Sequence, residues 1–503
     1  MFVRRFRFYA AAPIFAALPV INAAKLYSAS VPVTAGQLGR DSAIMIGLTL
    51  LVASLLALLP GADRTKGAAL SMGVLVLGAY PRLAGLFEVS PCSWADAALG
   101  AVSVALLTTA LWAVARWRRQ VLDSSHQLLC VLLMLVCVYT AHAIVWRRGT
   151  SHAAMALRHP GGSPLSLPAG ERGPDIIHVI FDGLGRLDVL QETYGLDAAP
   201  IASRLTARGM AVNDRAVANY SQTYPAVGAA LSMAYLDDVA RLGRDSNDRT
   251  LAEAVIHDST VIRALKARGY AFTLLSSGYE ALVDHPLADA GIFGPTWFDQ
   301  FESYLLPRTP LRMVPAAAVT YEPQRRRTTA LLRALASFQP APRPQFVLAH
   351  ILLPHPPFTF SADGRDIRPP RVFSIEDGNA FPGSAEEYRR GYASQARFVF
   401  DALDRLLARC QAMSPRPVVI VHGDHGPGLG YNIRTPERSN VRERMRIFLG
   451  VQSALPIDRI GSPVNIYRRV LHAAFGVELP SLPDRSFVSS WGQPYNFTEV
   501  DAR

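Results

Sequence analysis

Apolar residues gather into long runs before residue 150 and into short, separated runs after it, and the two patterns predict different structures. Residues 8–28, 42–60, 67–88, 95–115 and 126–146 each approach the ~20 apolar positions that span a ~30 Å hydrocarbon core. Five membrane helices are therefore expected. Pro13, Pro19 and Asn22 interrupt the first run, which gives it some likeness to a secretory signal, but it is long and ends in Lys25 and Tyr27 rather than in a small-residue cleavage site. It reads as a retained span.

Basic residues in short loops set the orientation. Arg4, Arg5 and Arg7 precede the first run, Arg64 and Lys66 lie between the second and third, and Arg116, Arg118 and Arg119 lie between the fourth and fifth. These clusters fall on one side, the cytoplasmic one, so the chain beyond residue 146 is expected outside. Arg147 and Arg148 are a single exception against three alternating clusters. Residues 151–173, rich in Gly, Pro, Ser and Ala, read as a linker.

From Pro174 onward, short β-branched runs alternate with amphipathic stretches, the rhythm of an α/β domain with a mostly parallel central sheet. Strands are expected at Asp175 to Phe181, Ala271 to Ser276, Gln345 to His350, Pro417 to Val421 and Met445 to Val451. Helices are expected at Ala198 to Arg208, Leu251 to Arg268 and Glu386 to Cys410. Three parts follow: a membrane domain over 1–150, the linker over 151–173, and an extracytoplasmic catalytic domain over 174–503.

Composition changes this picture little. The formal charge of +11 could suggest nucleic acid, but much of it sits in the loops between apolar runs and no nucleic-acid-binding motif accompanies it. No nucleic-acid partner is expected. Cys92, Cys130, Cys137 and Cys410 provide neither a disulfide framework nor a cysteine zinc cluster, so a metal would need carboxylate, imidazole or hydroxyl ligands.

Reactive groups in such sheets lie at the carboxyl ends of strands. IIHVIFDGLGR puts Asp182 at one strand tip, followed by glycines that allow close approach, although a lone aspartate there is equally a turn residue. VVIVHGDHGPGLG puts Asp424 and His425 side by side at another tip, and a carboxylate beside an imidazole suits a divalent cation. ANYSQTYPAVGAALSM offers Ser221 and Thr223 as hydroxyls near a helix N-terminus, where the dipole favours an anion. Asp284 and His285 are adjacent too, but their context reads as a surface turn outside the site.

The ordered set of Asp182, Thr223 and Asp424-His425 resembles the alkaline phosphatase/sulfatase superfamily. Its membrane-anchored, sulfatase-like hydrolase/transferase branch, which includes phosphoethanolamine transferases and lipoteichoic acid synthases, is the most similar. AHILLPHPPFTF and SPVNIYRRVLHAAFGVELPSLPDRSF resemble further segments of it. The resemblance implies a sulfatase-like fold, with Asp182, Thr223, Asp424 and His425 as metal ligands, Thr223 as covalent nucleophile, and His355 facing the substrate phosphate or protonating the leaving group. His350 would be a lesser substrate contact, and at the end of an apolar run it is expected to be a satisfied core histidine. The cofactor would be a divalent metal, zinc first, manganese or magnesium also fitting. A phospholipid donor and an envelope glycan or lipid acceptor would be the partners, at a bacterial inner membrane crossed several times, with the catalytic domain periplasmic. SQTYPAV lacks the Cys/Ser-x-Pro-x-Arg motif from which sulfatases make formylglycine, so phospho-ester transfer is expected before sulfate-ester hydrolysis; a non-catalytic envelope assembly protein is the reading from another class.

Overall fold

The computed structural model describes residues 11–27, 35–58, 165–278, 282–293, 300–305, 317–371 and 373–502, with isolated positions between 66 and 138. The chain divides into two compact units, one of residues 1–150 with 300–318 and one of residues 151–299 with 319–503.

In the first unit the described elements are helices α1 (Ala11–Tyr27) and α2 (Ala35–Leu58). Residues Gln37–Leu58 are long and apolar enough to cross a membrane. Ile44, Leu48, Leu51, Val52, Leu55 and Leu58 stand exposed along α2, an arrangement that suits lipid and not water. The expected spans at 67–88, 95–115 and 126–146 lie almost wholly outside the described residues. A short helix, Gln300–Leu305, also belongs to this unit: Phe301 and Leu305 pack with Val20, Ala23 and Ala24 of α1, and Arg40 pairs with Glu302. Nothing in its composition sets this short segment apart from the sequence around it.

The second unit is a seven-stranded sheet. Its strands are β1 (Ile176–Phe181), β2 (Met210–Val212), β3 (Ala271–Ser276), β4 (Ala290–Ile292), β5 (Gln345–Ile351), β6 (Val418–Gly423) and β7 (Leu449–Gln452), in the order β2-β7-β6-β1-β5-β3-β4. The ladders β6-β1-β5-β3-β4 are parallel. β7 runs antiparallel to both of its neighbours, so the sheet is mostly parallel with one reversed strand.

Strand alternation feeds two cores. Ile176 and Ile180 with Phe346, Leu348, Val418 and Ile420 face helices α5 (Thr223–Ser232), α6 (Thr250–His257), α7 (Thr260–Ala267) and α10 (Ile466–Phe475). Ile177, Val179 and Phe181 with Val347, Ala349, Val419 and Val421 face α3 (Leu187–Tyr194), α4 (Ala198–Ala207), α8 (Ala317–Ala336) and α9 (Ala385–Gln411). With both faces covered, the central strands are apolar at nearly every position. Burial of each such side chain is worth roughly 1.5–3 kcal/mol.

Local chemistry sets the helix ends. Ser384 caps α9 by accepting from Glu387 N at 3.1 Å, the Ser-x-x-Glu spacing of a capping box, and the buried positions Tyr388, Tyr392, Ala396, Val399, Leu403 and Leu407 keep helical period along it. The helix expected over Leu251 to Arg268 is two helices. Ser259 breaks it: its hydroxyl accepts from Ile262 N at 3.1 Å as the cap of α7 and donates to Leu231 O of α5 at 3.0 Å.

Candidate active site

Three neighbouring parallel strands end side by side, and their tips carry the polar groups. In register, Ile180 of β1 lies between His350 of β5 and His422 of β6, so the residues just beyond the strand ends converge. Asp182 N continues the ladder to Ile351 O at 3.0 Å, and His355 N donates to Asp182 O at 3.2 Å. Gly183 then turns the chain with φ +74°, a conformation a side chain would strain, and its N–H donates to Asp424 Oδ1 at 3.0 Å. The glycines of these loops serve the protein's own backbone more than a ligand: a Cβ on Gly426 would run into the Glu443 carbonyl.

Asp182, His350 and Asp424 present ligand atoms that all lie within 4.8 Å of one another, and all three are buried. His425 Nε2 lies 3.6 Å from Asp182 Oδ1, 3.5 Å from Asp424 Oδ2 and 3.4 Å from Thr223 Oγ1. Thr223 opens α5, directly after the cap residue Gln222. Five of the six residues singled out from the sequence therefore meet at one place. The sixth, His355, stands at its edge, its ring centroid 6.5 Å from that of His425. Ser221, the rival hydroxyl, is engaged elsewhere: its Oγ accepts from Tyr431 OH at 2.9 Å and from Ser489 N at 3.4 Å.

His350 differs from expectation. It is fully buried, as a core histidine would be, but only Nδ1 is satisfied, by Ser277 Oγ at 2.9 Å. Its Nε2 has no hydrogen-bond partner and lies 3.7 Å from Asp182 Oδ2. With Nδ1–H donated to Ser277, the Nε2 lone pair is turned toward the carboxylates. His285 also differs, being buried instead of on a surface turn. It donates from Nε2 to Ile256 O at 3.0 Å and accepts from Leu287 N at 3.1 Å, well bonded and away from the cluster.

Two further residues complete the arrangement. Asp377 accepts from Tyr388 OH at 2.6 Å and from Arg444 Nη1 at 2.7 Å, and lies 3.8 Å from His355 Nε2. Arg444, itself buried, donates from Nε to Ser221 O at 3.0 Å and from Nη1 to Gly426 O at 3.2 Å, while Nη2 lies 3.1 Å from His425 Nε2. Neither has a sequence signal: VRERMR reads as a charged surface turn and FSIEDGN as a polar loop. Beneath the cluster, His178 and His422 lie with ring centroids 4.9 Å apart, and His178 Nδ1 is 2.7 Å from Tyr467 OH.

The electrostatics favour a cation. Burial pushes His350 and His425 down to about 4, the latter further disfavoured as a cation by Arg444, so both are neutral and offer lone pairs at neutral pH. Burial alone would raise Asp424, but His425, His350 and the Gly183 N–H hold it well below the usual carboxylate range. Burial likewise opposes ionisation of Asp377, and His355 and Arg444 outweigh it. Two buried carboxylates, Asp182 and Asp424, and the partly buried Asp377 thus face one guanidinium, with Asp424 Oδ2 and His350 Nε2 left without hydrogen-bond partners. Uncompensated buried charge is expensive, and a divalent cation on this mixed oxygen and nitrogen set would relieve it.

A parallel α/β sheet with such a cluster at its strand tips defines an enzyme with a candidate divalent-metal site. The chain belongs to the sulfatase family, whose model matches residues 174–448, and with it to the alkaline phosphatase/sulfatase superfamily. No curated protein matches it. Among solved structures, the zinc complex of the C-terminal periplasmic domain of EcEptC from Escherichia coli is similar at TM-score 0.43 and 13% identity, over 67% of this chain and 96% of that one. The phosphonate monoester hydrolase of Agrobacterium radiobacter is similar at TM-score 0.39 and 14% identity, over 63% and 80%. The integral membrane protein lipooligosaccharide phosphoethanolamine transferase A (EptA) from Neisseria meningitidis is similar at TM-score 0.39 and 12% identity, over 93% and 95%. These likenesses are weak, and the family assignment does not rest on them.

Proposed function

We propose that the chain is a membrane-anchored enzyme that moves a phospho-head group from a phospholipid donor to an envelope glycan or lipid, by way of a covalent bond to Thr223. The observation that carries this reading is the position of the Thr223 hydroxyl, at the first turn of α5 and 3.4 Å from His425 Nε2, beside two buried carboxylates. Asp182, Thr223, Asp424 and His425 would hold a divalent cation, zinc fitting the donor set best, with His350 as a further donor. When bound, that cation would neutralise charge on the phospho group and favour the threonine alkoxide.

The chain's own groups then divide the work. Thr223 Oγ bonds to phosphorus as the bond from phosphorus to the leaving oxygen breaks. The Thr223 proton passes to the Asp424 carboxylate, whose Oδ2 lies 3.5 Å from the same His425 Nε2 that the Thr223 hydroxyl faces. His355, with Nδ1 donating to Pro356 O at 2.6 Å, gives a proton to the leaving oxygen, and Asp377 orients its ring. An acceptor hydroxyl then takes the phospho group from Thr223, its proton going to His355, and Thr223 recovers its own from Asp424. Water in place of the acceptor would make the same site a phosphodiesterase. The absence of a formylglycine motif in SQTYPAV sets sulfate-ester hydrolysis behind both.

The setting proposed is a bacterial inner membrane crossed five times by residues 1–150, a linker over 151–173, and a periplasmic catalytic domain over 174–503. The apolar runs and the charge of their loops support it, as does the exposed apolar face of α2. Intact-mass analysis after exposure to bacterial lipid extract tests the chemistry. A phospho-adduct on Thr223 that disappears in Thr223→Ala is expected; an adduct on another residue, or none under turnover, would reject the covalent route.

A further inference from the structure

Apart from the cluster, a cavity of about 500 Å³ opens between Arg186, Arg215, Arg459 and Asp484, a volume usual for a small-molecule site. Arg186 follows Asp182 closely in the chain, and Val217, also in the cavity wall, shortly precedes Thr223. None of Asp182, Thr223, His350, Asp424 and His425 lines it.

Most charges around this cavity neutralise one another. Arg186 donates to Asp188 from Nε at 2.8 Å and from Nη2 at 2.7 Å, and from Nη1 to Ala216 O at 3.3 Å. Arg459 donates from Nε to Asn213 Oδ1 at 2.8 Å and pairs with Asp214. Two charges of opposite sign are left. Arg215 gives its backbone N–H to Asn213 Oδ1 at 2.9 Å, but its guanidinium has no hydrogen-bond or ion-pair partner among the described residues. Asp484 accepts at Oδ1 from Ser462 Oγ at 2.7 Å and from Asn465 Nδ2 at 3.0 Å, while Oδ2 has no partner among the described residues. Arg215 and Asp484 share the cavity without pairing with each other.

The wall that holds them apart is made by the protein alone. Val217 N donates to Gly461 O at 3.0 Å, and a Cβ on Gly461 would run into the Asp484 carboxylate, so glycine there leaves the acid its place. Buried Asn213 donates from Nδ2 to Ile460 O at 2.6 Å and ties the acceptor of Arg459 to the same loop. A ligand with one charge is attracted at one end of such a cavity and repelled at the other. A ligand with both charges, several bonds apart, is attracted at both, and a fixed wall lowers the cost of ordering.

We propose that this cavity binds a small soluble zwitterion, with its anionic oxygen group at Arg215 and its ammonium at Asp484. No group of the reaction cluster takes part, so binding here is independent of phospho transfer. Both contacts are partly open to water, so added salt weakens them.

Calorimetric titration of the full-length protein in nonionic detergent at low ionic strength tests this, with 6-aminohexanoate as the probe and 6-hydroxyhexanoate and 6-amino-1-hexanol as its one-charge analogues. The wild type should bind 6-aminohexanoate saturably and roughly 5-fold more tightly than either analogue, the weight of one partly exposed ion pair. Arg215 is exposed and its side chain bonds to nothing described, so Arg215→Gln should fold as the wild type does, with an unchanged thermal melt. It should bind 6-aminohexanoate no better than 6-amino-1-hexanol, and Asp484→Asn should bind it no better than 6-hydroxyhexanoate. Absence of saturable 6-aminohexanoate binding to the wild type would overturn the proposal, and so would equal affinity for either analogue. A folded Arg215→Gln that keeps the full preference would place the binding elsewhere and reject the cavity.

Discussion

Single side chains carry the sharpest expectations. Thr223→Ala removes the atom proposed to form the covalent bond and should reduce turnover to background, while Ser221→Ala, whose hydroxyl serves Tyr431 and Ser489, should keep most activity; steady-state rates on a phosphodiester substrate separate them. Loss of Ser221→Ala activity with full Thr223→Ala activity would move the nucleophile. His355→Ala should retain metal content yet slow turnover by roughly 100-fold or more, the usual effect of losing a positioned proton donor. His285 gives a test of pH dependence away from the cluster. Burial pushes its imidazole down to about 4, against 6.5 for the free group. Between those values the unfolded chain binds the additional proton, so the contribution of His285 to stability is complete above about pH 6.5, declines as the pH falls, and is gone below about 4. Denaturant melts at pH 6.5 and 4.5 should show that His285→Gln reduces the acid-induced loss of stability by on the order of 2 kcal/mol. An identical loss in both proteins would contradict the neutral buried state.

Elements explain why these side chains stay where they are. Parallel strands β6, β1 and β5 end at one level because their register is continuous, and that alone brings residues 182, 350 and 424 together. Long α9 braces them from behind: Tyr388 bonds Asp377 and Tyr392 OH donates to Gly183 O at 2.7 Å. Ser384→Ala should lower stability by about 1 kcal/mol through loss of the cap, with unchanged turnover per folded molecule, because the hydroxyl it removes serves Glu387 N while the Ser384 carbonyl that accepts from Tyr388 N is kept. A matching fall in turnover would show that α9 positions the site more finely than its hydrogen bonds imply. Much of this level was legible. Strand runs at 175–181, 271–276, 345–350 and 417–421 match β1, β3, β5 and β6 to within one or two residues. The reversed direction of β7 was not, because an apolar run looks the same in either direction and its pairing is set by the loop from Asp424 to Phe448, which turns back without a crossover helix.

At the scale of the molecule, the short helix Gln300–Leu305 alters how the two halves should be separated. A chain beginning near Gly173 contains every strand of the sheet and both cores, so it should fold. It would also carry Phe301 and Leu305 without α1, their packing partner, and should therefore self-associate. Light scattering should show association relieved by Phe301→Ser with Leu305→Ser; association unchanged in that variant would assign it to another surface. For the amino-terminal part, a reporter fused after residue 150 is expected to be active only outside the cytoplasm if the proposed topology holds, and cytoplasmic activity would reject five spans.

Read by itself, the sequence determined the class of the fold and most of the polar residues that stand at its strand tips. Apolar period and turn residues are local properties, and Asp182, Asp424 and His425 follow their strands directly. Tertiary structure decided the rest. Between Thr223 and Ser221 the residue reading stayed open, and the direction of α5 turns one hydroxyl to the cluster and the other to Tyr431. His350 could not be told from a satisfied core histidine, because the state of its Nε2 depends on Ser277 and Asp182, distant in sequence. Arg444 and Asp377 stand 67 positions apart in polar stretches that look solvated. Burial of Arg444 against the partly buried Asp377 makes them a fixed ion pair beside His425, and burial is a property of the packed chain, which no window of sequence contains.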